Sequence, residues 1–130
     1  MESSRIIDVN RERALESYEA LETFMETADE KSKKKMRGYC RKLPATIQAN
    51  GLVETLLYIE SKKSKKESVK NEYDYIYEWM EDWIIDKCMH NEDCSLISTL
   101  VKLEIKDYRR CTAEIISLML WYKKNAEGLL

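Results

Sequence analysis

Turn-forming residues are scarce in this chain of 130 residues, which has only 3 glycines and 1 proline. β-Hairpins depend on glycine, asparagine and proline at fixed turn positions, so a mainly β fold is disfavoured. Apolar residues instead recur at intervals of three and four, which is typical of amphipathic helices. We therefore expect an all-α fold, a compact single-domain bundle of five to six helices that spans residues 1–130.

The sequence also lacks the long apolar segments that cross membranes. A membrane-spanning helix needs about 20 predominantly apolar residues, and the chain has no such run. Its first residues, MESSRIID, are charged and acidic, whereas a secretory signal peptide is basic and then apolar. We expect a cytoplasmic protein that makes no contact with a membrane.

Histidine, the commonest general base and metal ligand, occurs once, at position 90. Together, Cys88, His90 and Cys94 lack the paired short spacings of a zinc site and have no fourth ligand nearby. The sequence has no glycine-rich phosphate loop and no nucleophile elbow. We predict no catalytic residue, no metal and no cofactor. General base catalysis by His90 is the enzymatic alternative, which we disfavour because a lone loop histidine is usually solvated.

Six helices can be placed by apolar periodicity and by residues that begin or end helices. Asn50 and Gly51 end the second helix, since glycine accepts the left-handed conformation found there. Ser95 and Asp107 are candidate N-caps of the last two helices. The predicted helices cover approximately residues 9–28, 31–50, 52–62, 71–87, 96–105 and 108–130.

Positive charge is concentrated in the middle of the chain. Residues 31–66 carry 11 basic and 2 acidic residues, whereas residues 1–30 have a net charge of −6 and residues 67–130 of −5. On a helical wheel Lys34, Arg37 and Arg41 fall within roughly 60° of one another, opposite an apolar stripe. Such a face attracts phosphates without reading bases. The alternative is a solvated lysine-rich face that balances the acidic helices, which charge alone favours.

Aromatic residues offer two further possibilities. Base stacking is a candidate role for Tyr39, Tyr58, Tyr73, Tyr75, Tyr77, Trp79 and Trp83. Most of these residues, however, have the spacing of a core. In the fourth helix Tyr75 and Trp79 fall off the main apolar stripe, on a face that they share with Asp82. We predict that Tyr75, Trp79 and Asp82 contact a neighbouring protein, for example the basic face of a second copy.

Two segments carry a pattern characteristic of one protein family. Residues 43–62 read LPATIQANGLVETLLYIESK, with a Leu-Pro pair, an amide-ended stretch before Gly-Leu and an apolar run that closes on Lys62. Residues 108–130 read YRRCTAEIISLMLWYKKNAEGLL, with an aliphatic run followed by Trp, Tyr and two lysines. With these segments the chain resembles the small subunit of the type III-B CRISPR effector, the Cmr complex. The resemblance covers a family-like core of about residues 31–130.

The resemblance implies a non-catalytic subunit of an RNA-guided complex in antiviral defence. Copies of the subunit would stack beside other Cmr subunits. A basic face on each copy would hold the phosphate backbone of the guide and target RNA. Of the basic residues, Lys62, Lys123 and Lys124 lie within the matching segments. The competing hypothesis is a helical adaptor that binds only proteins. The residues predicted to contact RNA are Lys34, Arg37, Arg41, Lys42, Lys62, Lys63, Arg110, Lys123 and Lys124.

Overall fold

The computed structural model describes residues 8–89 and 95–130, so the predictions about His90 and Cys94 lie outside the described residues. Within these ranges the chain is all-α, as predicted, and none of its helices is long and apolar enough to span a membrane. The helices are α1 (Val9–Thr27), α2 (Glu30–Asn50), α3 (Leu52–Lys62), α4 (Glu72–Lys87), α5 (Leu96–Val101) and α6 (Ile105–Leu129).

Side-chain caps and one glycine set most of the helix ends. Asp8, Asp29 and Ser95 each accept a hydrogen bond from a backbone N–H in the first turn of the helix that follows. Gly51 has a φ of 92°, a conformation that L-residues rarely adopt, and joins α2 to α3 in a single residue. Helix α6 begins at Ile105 after Glu104, three residues earlier than a cap at Asp107 would allow.

The core is centred on α6, which packs against α1 on one side and α2 on the other. Helix α3 packs against α2 and α4, and completes the bundle. Proline does not interrupt α2, because Pro44 lies within a continuous helix and is buried. The fully buried side chains of α6 include Ile115, Leu118, Met119 and Tyr122.

Trp79 belongs to this core, so little of its ring is available for the predicted contact with a neighbouring protein. Its side chain is only 9% exposed. The ring stacks on that of Tyr122 at 4.7 Å between centroids and meets the edge of Phe24 at 6.4 Å. The helical wheel predicted a single buried stripe on α4. In the structure α3 packs against α4, and residues of α1 and α6 also contact it, so the side of α4 that carries Trp79 is buried as well.

A polar cluster fastens three helices together near the middle of α6. The guanidinium of Arg13 in α1 donates two hydrogen bonds of 2.7 Å to the carboxylate of Glu114 in α6. The indole N–H of Trp83 in α4 donates to the same carboxylate at 2.8 Å. Because Arg13 and Glu114 are mostly buried, at 13% and 19% side-chain exposure, the pair is shielded from water.

Candidate nucleic-acid interface

The outer side of α2 carries a row of cations, which we call the basic ridge: Lys34, Lys35, Arg37, Arg41 and Lys42. All are exposed except Arg37, which is half-buried. The opposite side of the helix is anchored by fully buried residues such as Met36 and Cys40. This confirms the geometry expected of an amphipathic helix, whose charged face is fixed in place by its apolar one.

The C-terminal end of α6 lies beside the basic ridge. Arg41 donates a hydrogen bond of 2.7 Å to Glu127. This bond, with the nearby charges of Arg41, Arg37 and Lys123, lowers the pKa of Glu127. Lys123 is therefore brought next to the ridge, whereas part of the charge of Arg41 is already neutralised within the chain.

The cations best able to meet an external anion are the lysines of the basic ridge. Among the residues that the structure describes, Lys34, Lys35 and Lys42 form no ion pair. Each extends from an exposed position of one rigid helix. Because these three lysines have no ion pair to break within the described residues, they are the ridge cations most available to an external anion.

Two other predicted lysines lie against aromatic rings. The ammonium of Lys63 is 3.9 Å from the ring centroid of Tyr77, which turns it towards α4. That of Lys124 is 4.4 Å from the ring centroid of Trp121. Cation–π contacts of this kind contribute about 0.5–1 kcal/mol at exposed sites, so they hold these lysines only loosely.

Arg110 lies near the start of α6, away from the predicted RNA-binding residues Lys123 and Lys124 on the same helix. It forms an ion pair with Asp107 in the first turn of α6. Lys123 is 13 residues further along the same helix, about 20 Å away at the helical rise of 1.5 Å per residue. The structure thus brings Lys123 to the basic ridge and leaves Arg110 near the other end of α6.

Beside the basic ridge runs a groove of 360 Å³ between α2, α3 and α4. The rings of Tyr39 and Tyr73 lie 4.6 Å apart, and that of Tyr58 meets Tyr73 edge-on at 6.3 Å. Burial and the neighbouring hydroxyls of Tyr39 and Tyr58 raise the pKa of Tyr73. The residues that line this tyrosine groove include Tyr39, Lys42, Thr46, Glu54, Tyr58 and Tyr73.

The basic ridge of α2 and another predicted lysine, Lys62 of α3, lie on two helices that border this groove. Lys62, in the last turn of α3, places its ammonium 5.6 Å from the ring centroid of Tyr58. Lys42 belongs both to the ridge and to the groove wall. Lys42 and Lys62 thus border an aromatic groove, a feature that the sequence did not predict.

Of the predicted protein-contact residues, Asp82 is the one that is exposed. Tyr75 is half-buried, with its ring 5.1 Å from that of Phe24. Asp82 shares a surface with Glu16 of α1, whose pKa is raised by burial and by the charges of Asp82, Glu19 and Asp86. We call this surface, formed by Glu16, Asp82 and Asp86, the acidic face.

In the described part of the chain, the acidic side chains and thiols form no metal-ligand set, and the thiol of Cys40 is buried. Within residues 8–89 and 95–130, no three histidine, cysteine or acidic side chains are placed to hold a metal ion. Burial raises the pKa of Cys40 to about 12, which keeps its thiol protonated and unreactive. Cys111 is also buried.

Comparison with known protein families matches residues 9–129 to the family described as CRISPR-associated protein (Cas_Cmr5). The matched range includes the six helices described above, the basic ridge and Lys62. No match is found among curated proteins. Because the match covers nearly the whole chain, the chain belongs to the Cas_Cmr5 family, the small subunits of the type III-B CRISPR effector.

Proposed function

We propose that this member of the Cas_Cmr5 family is a non-catalytic cytoplasmic subunit that holds guide and target RNA by its backbone, as part of an effector in antiviral defence. The observation that carries the proposal is the set of exposed ridge lysines that form no ion pair with the described residues, Lys34, Lys35 and Lys42. Flexible ammonium groups on a rigid helix suit contact with phosphates. A subunit that must accept any target sequence needs contacts of this kind.

Gly38, in the middle of the basic ridge, supports close approach by an external molecule. Glycine inside a helix costs roughly 0.5–1 kcal/mol relative to alanine. Apart from the neighbouring residues and backbone of its own helix, no described atom lies within 4 Å of the place where a Cβ of residue 38 would stand. Packing against the described residues therefore does not require the glycine. A phosphate backbone that passes between Lys34 and Arg41 would explain its presence.

Several copies of the subunit would stack along the complex beside other Cmr subunits. The acidic face has the charge that suits a basic protein neighbour, which includes the basic ridge of the next copy. In this arrangement the basic ridge is shared between RNA and protein contacts, and Arg41, already paired with Glu127, is the residue least available to RNA.

Purification of the tagged chain from its native host tests this function. We expect other Cmr subunits and CRISPR-derived guide RNA to co-purify at moderate salt, and native mass spectrometry of the same preparation to count the copies. A preparation with protein partners that survives nuclease treatment unchanged and contains no RNA would instead support the helical adaptor.

Substitution of a ridge lysine should weaken RNA binding without changing its sequence preference. For Lys34→Gln we expect the slope of log K against log salt to decrease by about 0.7 for a single strand, because one phosphate contact is lost. Binding of target RNA by the assembled complex, measured at several salt concentrations with two unrelated target sequences, gives this slope.

The matched control is Lys106→Gln, which removes an exposed lysine in the first turn of α6. The other end of α6 is the one that lies beside the basic ridge. It should leave the slope unchanged. Equal slopes for the native chain and Lys34→Gln would show that the basic ridge does not contact RNA.

A further inference from the structure

We propose that the tyrosine groove binds one unstacked nucleobase of an RNA strand whose phosphates lie on the basic ridge, an inference that rests on the proposed function. The groove provides flat aromatic walls next to cations, which is the combination that single-stranded nucleic acids require. Its volume of 360 Å³ lies at the lower end of the range of small-molecule sites, about 300–1,000 Å³.

The first argument is the exposure of an aromatic ring that the core does not need. Tyr58 is 52% exposed, although it lies on α3 between the buried residues Leu56 and Ile59. The ring of Tyr73 lies edge-on to it, and Tyr39 continues the row. A base inserted here would cover apolar surface that now faces water.

The second argument is the position of charge around the groove. Lys42 lines the groove and belongs to the basic ridge, while Lys62 accompanies the exposed ring of Tyr58. Cations on both sides of an aromatic cavity suit a ligand that is aromatic and anionic, as a nucleotide is. Glu54 lines the part of the groove near the α2–α3 turn, so a phosphate would avoid that end and lie towards Lys42.

The continuity of the groove and the ridge gives the path of the strand. Because Lys42 is common to both, a backbone that follows Lys34 and Lys35 would reach the groove mouth within the length of one helix. One base could then turn into the groove while its neighbours remain outside. The contact would not depend strongly on sequence, since every base has a face that can stack.

The test compares two oligomers of equal length bound to the isolated full chain. One is fluorescently labelled oligouridine, and the other is the same ribose-phosphate backbone without bases. At about 10 mM salt the electrostatic range extends to some 30 Å, which makes weak backbone binding measurable by anisotropy. We expect the native chain to bind oligouridine more tightly than the abasic oligomer.

Tyr58→Ala should weaken oligouridine binding by about 5- to 150-fold, the loss that corresponds to one stacked base, and leave abasic binding unchanged. Tyr58→Phe should restore binding, because the ring alone stacks. The matched control is Leu57→Ala, which removes an exposed apolar side chain from the same helix outside the groove and should change neither affinity.

Two kinds of result would overturn the proposal. The first rejects only the base site, and the second also rejects backbone binding by the basic ridge. If both oligomers bind equally, or if Tyr58→Ala weakens both alike, the groove does not hold a base although the basic ridge holds the backbone. If neither oligomer binds, backbone binding by the basic ridge fails, and the base site fails with it. The unfolding midpoint of Tyr58→Ala should equal that of the native chain, which would show that a loss of affinity comes from the missing ring and not from unfolding of the variant.

Discussion

Trp79→Ala should destabilise the isolated chain by about 3–5 kcal/mol, the usual cost of truncating a buried aromatic residue to alanine. The ring is 9% exposed and fills the space between Tyr122 and Phe24. Its removal leaves a cavity, because the surrounding helices are held by their other contacts and cannot move in to fill it. In urea the midpoint of unfolding should decrease by at least about 1 M, given slopes of 1–3 kcal/mol per molar for small proteins.

Trp121→Ala is the control for loss of a tryptophan in general. Trp121 is half-exposed and donates one hydrogen bond to Asn10 at 2.8 Å. Its replacement should cost about 1 kcal/mol, the net contribution of a typical hydrogen bond. If Trp79→Ala retained native stability but failed to enter the assembled complex, the ring would serve an interface after all, as its position on a helical wheel indicated.

Local sequence patterns were sufficient for most helix boundaries. The third helix was predicted at residues 52–62 and is found at Leu52–Lys62, because Gly51 admits a conformation that stops one helix and allows the next to begin. The start of α6 was placed too late. The structure begins it after Glu104, whose side chain makes no capping hydrogen bond, so capping preferences could not locate it.

Contacts between helices explain what the sequence could not predict. The wheel that placed Lys34, Arg37 and Arg41 on one face was correct, since that face depends on α2 alone. The pairing of Arg41 with Glu127 depends on how α6 crosses α2, 86 residues away in sequence. Likewise, periodicity could not show that Tyr39 lines a groove, because that position depends on the approach of Tyr73 in α4.

Glu114→Ala should cost about 3 kcal/mol, near the lower end of the range for breaking a buried ion pair, since the pair is slightly exposed. Alanine would leave the guanidinium of Arg13 and the indole N–H of Trp83 without their shared acceptor. These three residues belong to α1, α4 and α6, so the loss would loosen the junction of three helices. Chemical denaturation at neutral pH measures the effect.

The chain provides a closely matched control on the same helix. Glu127 also accepts a 2.7 Å hydrogen bond from an arginine, but both partners are about half exposed. Exposed ion pairs contribute little because water screens them and their side chains lose entropy. Glu127→Ala should therefore leave the unfolding midpoint nearly unchanged. Equal effects of the two substitutions would contradict the role of burial.

The same carboxylate should make stability sensitive to acid. Burial alone would raise the pKa of Glu114, but hydrogen bonds from Arg13 and Trp83 outweigh it and lower the pKa below its ordinary value. A lowered folded-state pKa stabilises the chain above the unfolded value of about 4.3, and this contribution is lost as pH falls through the folded-state pKa. As pH falls from neutral to below the folded-state pKa of Glu114, the difference in free energy of unfolding between the native chain and Glu114→Ala should therefore decrease. A constant difference in unfolding free energy across this range would show that the carboxylate does not titrate with folding, and that packing alone accounts for its contribution.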